Sequence, residues 1–284
     1  MKQLLPIIIA IAGCVTVSDA AEAERVRLDK GWRTVAENRA GYTDRDFNDS
    51  KWNKINLPHD WSVQFNPDSA ANAGNDGGYL PGVEAVYRYT LPVDSVLPGT
   101  YMLYLEGAYM NPTVWVNGEE VDSHIYGYTS FRVDITDYLE KGDNTVAITV
   151  DNSNQKNSRW YSGTGIYRPV WLEHYNPVYI EPASMFVTTP GIRPGMAIGR
   201  LEAMVLDSRH ERKGGATLTG TLTVTGPDGV AMKPDVFDIE FGDNEFAKPV
   251  LFDFPVPDPQ EWSPSTPRLY KATLTVADAE GVQA

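Results

Sequence analysis

The chain reads as an all-β protein made of two sandwiches in series, and three observations carry that reading. Apolar and polar residues alternate in short runs, as in Phe131, Val133 and Ile135 against Arg132, Asp134 and Thr136. Val146, Ile148 and Val150 repeat the pattern, as do Tyr270, Ala272, Leu274 and Val276. Side chains of a strand point alternately to its two faces, so period two with one polar face means strands half-buried in a sheet that covers a second layer. Twenty prolines and twenty-four glycines cut the chain into pieces too short for long helices. No long stretch carries a helical period, and Asp137 to Lys141 amounts to one turn at most.

Taken in order, the first strands are Arg25 to Leu28, Lys54 to Leu57, Ala85 to Thr90 and Tyr101 to Glu106. Val114 to Val116 runs into Asn117-Gly118, a hairpin signal because both residues tolerate positive φ. A strand-like run covers Ile166 to Leu172. The character changes near Asn176-Pro177 to Pro182. Beyond it, strands are expected at Gly199 to Asp207, Ala216 to Thr225, Val236 to Phe241, Pro249 to Pro255 and Leu269 to Ala277, with a turn at Pro227-Asp228-Gly229. About one hundred residues of such strands fit an immunoglobulin-like sandwich without a disulfide.

The N-terminus carries a targeting segment. Lys2 supplies positive charge and Leu4 to Val17 is apolar, too short to cross a bilayer as a helix of ~20 residues. Ser18-Asp19-Ala20 sets a cut that would remove residues 1–20 as a signal peptide, whereas Ile11-Ala12-Gly13-Cys14 sets a lipoprotein leader of residues 1–13. Both imply export to a periplasm or cell surface, with membrane attachment only if Cys14 is lipidated. Cys14 is the single cysteine, so the exported protein has no internal disulfide and depends on burial for stability. The net charge of −14 argues against nucleic acid and anionic membranes as partners.

The stretch richest in chemistry is Asn157 to Leu172, NSRWYSGTGIYRPVWL. Gly163 and Gly165 mark a sharp loop, and Asn157, Arg159, Trp160 and Tyr161 combine flat apolar rings with hydrogen-bonding groups, as sugar contacts require. A turn with one aromatic plugged into the core is the plainer alternative. The glycine-rich loop from Asn72 to Gly82 presents Asn75 and Asp76 but lacks the strand–loop–helix context of a nucleotide site. In LPHDWS, neighbouring His59 and Asp60 point to opposite faces of an extended chain. They read as a structural corner, with Trp61 filling the core. Arg88 reads as one half of a buried ion pair. His124, His174 and His210 lack metal-ligand spacing, so neither a metal nor any other cofactor is expected.

Three separated segments, LPHDWS, GAYMNPTVWVNG at Gly107 to Gly118 and SRWYSGTGIYRPVWL, resemble the signatures of glycoside hydrolase family 2, in the family's order. Trp262-Ser263-Pro264 with Pro267 and Tyr270 is similar to a segment of that family's second domain. The resemblance covers nearly the whole chain after the leader, but only the first two domains of a typical member. It implies a galactose-binding-like jelly roll at 21–181 and an immunoglobulin-like sandwich at 182–284, incomplete at its C-terminus. It also implies that the two catalytic glutamates belong to a (β/α)₈ barrel. Such a barrel takes ~250 residues and does not fit here, so no catalytic residue is assigned and the chain alone is expected to be inactive. By the same resemblance Asn157, Arg159, Trp160 and Tyr161, and with less support Asn75 and Asp76, border the pocket for a β-glycoside. Well-known members place an aspartate near this point, where this chain has Asn157-Ser158-Arg159. The leading expectation is therefore the N-terminal part of an exported β-galactosidase-type enzyme. A stand-alone lectin-like or structural surface protein is the alternative.

Overall fold

A computed structural model describes residues 24–209, 215–282 and 284. Both leader readings and His210 lie outside the described residues. The first sandwich is built from β1 (Glu24–Arg27), β2 (Lys30–Val35), β3 (Asn53–Asn56), β4 (Glu84–Val93) and β5 (Thr100–Leu105). It continues with β6 (Thr113–Val116), β7 (Glu119–Ser123), β8 (Phe131–Asp134), β9 (Gly142–Asp151) and β10 (Val170–Tyr175). Its antiparallel sheets run β1–β10–β5–β8 and β3–β2–β4–β9–β6–β7. Their inner faces bury Trp32, Tyr87, Leu103, Leu105 and Ile148, and Ile135 just beyond β8 joins the same core.

The second sandwich comprises β11 (Val178–Ile180), β12 (Phe186–Arg193), β13 (Met196–Asp207), β14 (Ala216–Thr225), β15 (Asp235–Phe241), β16 (Ala247–Pro257), β17 (Lys271–Asp278) and β18 (Gly281–Val282). In one sheet β13 lies between β16 and the pair β11 and β12; the other runs β15–β14–β17–β18. Leu201, Val205, Leu218, Leu222 and Val276 fill its core. The two cores share no residue: Val170 is the last member of the first and Val178 opens the second. At the joint Tyr175 stacks on Tyr179 with centroids 4.9 Å apart and donates to the buried Glu173 at 2.8 Å. Arg25 and Arg132 hold the same carboxylate at 3.0 and 2.7 Å.

The all-β expectation holds: the described residues contain no α-helix, only two short 3₁₀ turns, Ser62–Gln64 and Thr136–Tyr138. The Asn117-Gly118 hairpin forms with φ of 53° and 89°. Three local expectations need correction. The run Ile166 to Leu172 becomes a strand only from Val170, because Pro169 has no N–H to donate to a ladder. β2 was not foreseen, since its second inward residue is polar; Thr34 is buried because its hydroxyl donates to the Val86 carbonyl at 2.8 Å. β12 was not foreseen either, because it is an exposed edge whose register breaks between Thr188 and Gly191, around Pro190.

Among the described residues, β17 has a partner on its outer edge only at Val276 to Asp278, from Gly281, Val282 and Ala284. Beside the open part lies a cavity of about 710 Å³ lined by Val187, Phe254, Val256, Trp262 and Tyr270. On the first sandwich the segment from Tyr42 to Asp49 closes over Arg88, which is buried as expected. Its guanidinium donates to Asp49 at 3.0 Å and to the carbonyls of Tyr42, Asp44, Arg45 and Phe47 at 2.9 to 3.4 Å. Arg88→Ala would strand those acceptors, so a loss of about 3–5 kcal/mol is expected in denaturant unfolding. Arg200→Ala, which removes an exposed pair with Asp253, should leave the transition where it is.

Candidate functional site

The loop from Asn152 to Ile166 is held down by backbone pairing. His59 N–H donates to the Ile166 carbonyl at 2.8 Å and Trp61 N–H to that of Thr164 at 2.7 Å. On the other side Gly165 exchanges two 2.9 Å bonds with Tyr109. Gly165 must be glycine: its φ is 145°, and a Cβ there would sit 2.4 Å from the Tyr87 hydroxyl and 2.5 Å from the His59 carbonyl.

Two half-buried or buried polar side chains fasten the rest. Asp60 Oδ1 accepts the amides of Ser62 and Thr164 at 2.8 and 2.9 Å, and Oδ2 accepts the Tyr161 hydroxyl. Asn152 donates to the Gly163 carbonyl at 2.6 Å and accepts from Gln155 and Asn157 at 2.8 and 2.7 Å. His59 and Asp60 take different partners. Burial pushes the His59 imidazole below its ordinary pKa, with Asp60 opposing, and its Nδ1 meets the Tyr87 hydroxyl at 2.9 Å. Trp61 is buried and donates its indole N–H to Thr34 at 2.9 Å.

The candidate residues come together around this loop but differ in role. Trp160 is 59% exposed and Tyr161 40%, so the aromatic pair lies on the surface and does not plug the core. Arg159 is exposed and has no ion-pair or hydrogen-bond partner among the described residues. Asn157 is exposed, and its amide donates to Asn152 at 2.7 Å and to the Asn154 carbonyl at 3.2 Å. Asn75 and Asp76 also act within the protein, meeting Lys156 Nζ at 3.3 and 3.5 Å. Asn72 clips the glycine-rich loop shut, exchanging bonds with Gly82 and donating to the Ser153 carbonyl. The space enclosed beneath Trp160 and Tyr161 is about 10 Å³, at most one water, so a ligand would have to meet the outer faces of the rings.

Sequence reasoning missed the neighbours that widen this surface. Ile125, Tyr126 and Tyr128, between β7 and β8, are 76%, 57% and 42% exposed. Tyr128 accepts the Trp160 indole N–H at 2.9 Å and packs edge-on against Tyr109 and Tyr126. Tyr167 donates to the Gly127 carbonyl at 2.8 Å and ties the two loops together. The visible signal was a pair of tyrosines flanking Gly127. Among the described residues no cluster of three or more His, Cys, Asp or Glu side chains is arranged for a metal ion.

Residues 20–176 match the family model described as the sugar binding domain of glycosyl hydrolases family 2, and residues 178–284 match a second model of glycosyl hydrolases family 2. The chain belongs to glycoside hydrolase family 2. The aromatic loop and its Asp60 and Asn152 anchors lie within the first match. The chain is 31% identical to a beta-galactosidase of Bacteroides ovatus, over 94% of its own length and 31% of the relative's. Among solved structures it is similar to a family 2 member from Bacteroides cellulosilyticus (28% identity, TM-score 0.80), covering 91% of this chain and 34% of that one. It is likewise similar to a beta-glucuronidase of Bacteroides uniformis (25% identity, TM-score 0.78), covering 92% and 31%. The chain thus spans about a third of these relatives, the part that carries the two sandwiches.

Two outcomes follow from the loop's construction. Gly165→Ala should lower stability by about 1–3 kcal/mol in thermal or urea unfolding, because both a left-handed backbone and a backbone contact resist the methyl group. Burial, then Asp60, pushes the Tyr161 hydroxyl well above its usual pKa, and burial, then Glu173, pushes Tyr175 up to about 12. A raised folded-state pKa stabilises the protein fully below the unfolded value of about 10 and progressively less as pH rises through the folded value. Absorbance near 295 nm should therefore show tyrosines that ionise late. Stability should hold up to about pH 10 and fall above it, and Tyr161→Phe should remove one late step.

Proposed function

We propose that this chain is the N-terminal part of an exported, retaining β-glycosidase of the β-galactosidase type, and that its first sandwich builds one wall of the sugar pocket. The observation that carries this reading is the aromatic surface of Trp160, Tyr161, Tyr126 and Tyr128, exposed yet braced from beneath by Asp60 and Asn152. A ring held at a fixed angle can stack on a pyranose without first losing rotamer freedom, which favours binding. Arg159 adds an exposed charged donor beside the rings. In this reading Asn157, Asn75 and Asp76 shape the wall from behind, and they do not touch the sugar.

Cleavage of the glycosidic bond takes two carboxyl groups ~5–5.5 Å apart, which a barrel outside these 284 residues would supply. The beta-galactosidase and beta-glucuronidase relatives, about three times as long, support that assignment. The partners are accordingly a β-glycoside and the catalytic barrel. The second sandwich, from β11 onward, acts as a spacer, and the open edge of β17 with its neighbouring groove suits one further strand. The apolar run Leu4 to Val17 supports export to the periplasm or cell surface, by either processing route.

The 284-residue chain should show no turnover of nitrophenyl β-galactoside or β-glucuronide; steady hydrolysis by the purified chain would refute the division of labour. In the enzyme that includes the barrel, Trp160→Ala should lower kcat/KM roughly 10-fold or more with the melting temperature nearly unchanged. A large thermal shift with ordinary kinetics would place Trp160 in the scaffold instead. Tight sugar binding by the chain alone would favour the lectin-like alternative.

A further inference from the structure

Asp60 looks at first like a local turn residue, because its Oδ1 accepts the amide two positions on, that of Ser62. That role would use one oxygen. The second oxygen reaches across 101 residues of sequence to the Tyr161 hydroxyl, and Oδ1 also takes the Thr164 amide at 2.9 Å. The loop is fitted closely to this carboxylate. Gly163 has φ 75°, and a Cβ there would lie 2.4 Å from Oδ2. Asp60 is half-buried and outside the apolar core, so the interior packs without it.

The donor inventory adds a chemical consequence. A tyrosine hydroxyl and an indole each carry one hydrogen. Tyr161 gives its hydrogen to Asp60 and Trp160 gives its own to Tyr128. Neither ring keeps a polar hydrogen for a ligand, so both can meet a sugar only through their faces, with the Tyr161 oxygen left as an acceptor.

We propose that Asp60 is a positioning residue of the aromatic wall: it acts through the Tyr161 hydroxyl and the Thr164 amide to hold Tyr161, and beside it Trp160, as a stacking surface with no free donor. This rests on the pocket-wall reading for its purpose but not for its geometry. Asp60→Asn keeps the side chain's size and one oxygen for the two amides, but offers Tyr161 an NH₂ group where it had an acceptor. Tyr161→Phe removes the same bond from the other end.

The test uses the 284-residue chain, with amide hydrogen exchange over residues 157–166, tryptophan emission, and titration with phenyl β-D-galactopyranoside. Asp60→Asn should speed exchange at Tyr161 to Gly163 at least 10-fold, shift Trp160 emission and weaken galactoside binding at least threefold, with the melting temperature nearly constant. Adding Tyr161→Phe to Asp60→Asn should change exchange no further, since both remove one interaction. Additive effects, or exchange that ignores Asp60→Asn, would overturn the proposal even if the sugar binds. If exchange and the double-mutant cycle behave as expected while the unaltered chain binds no galactoside, the positioning role stands, and the pocket-wall reading is decided separately by the kcat/KM of Trp160→Ala in the enzyme that includes the barrel.

Discussion

The antiparallel seam between His59–Trp61 and Thr164–Ile166 is the constraint from which the candidate site at this end of the first sandwich follows. It joins two segments one hundred residues apart, and both of its bonds lie between backbone groups. A side chain at Gly165 would force the seam apart, and one at Gly163 would displace the Asp60 carboxylate. With the seam closed, the chain between Asn152 and Gly163 has little choice but to bulge outward, and its rings emerge on the surface. Buried polar atoms must find partners or cost stability, and here they find them in the loop. The result is an exposed surface with the rigidity of an interior.

That arrangement fixes the aromatic loop from beneath. The polar groups near the rings, Asp60, Asn152, Asn157, Asn75 and Asp76, are all engaged with the protein itself. The chain spans about a third of its family 2 relatives, which extend well beyond these two sandwiches. The joint between the sandwiches follows the same logic. Glu173 is 2% exposed and carries two arginines and Tyr175, so the last strand of the first module is firmly set where the second begins.

Much of this was legible in the sequence because it rests on local rules. Period-two alternation located β8, β9 and β17, since a half-buried strand has to alternate. Asn117-Gly118 announced its hairpin because few residue pairs accept positive φ at both positions. The motifs around His59 and Trp160 were legible as family signatures, and the fold brings the two segments together. Strands without an apolar alternation, β2 with its inward threonine and β12 on an exposed edge, left no such trace.

The sequence by itself determined the fold class, the order of the two modules and the family, because alternation, turn residues and spaced motifs are properties of short stretches. Only the tertiary structure decided which polar residues face outward. Asn157 donates to Asn152 beneath the loop, Asp60 accepts the Tyr161 hydroxyl, and Tyr126 packs against Tyr128, which in turn accepts the Trp160 indole N–H. The physical reason is that a side chain's role depends on which donor or acceptor lies within ~3 Å of it. For these residues that partner comes from a segment distant along the chain.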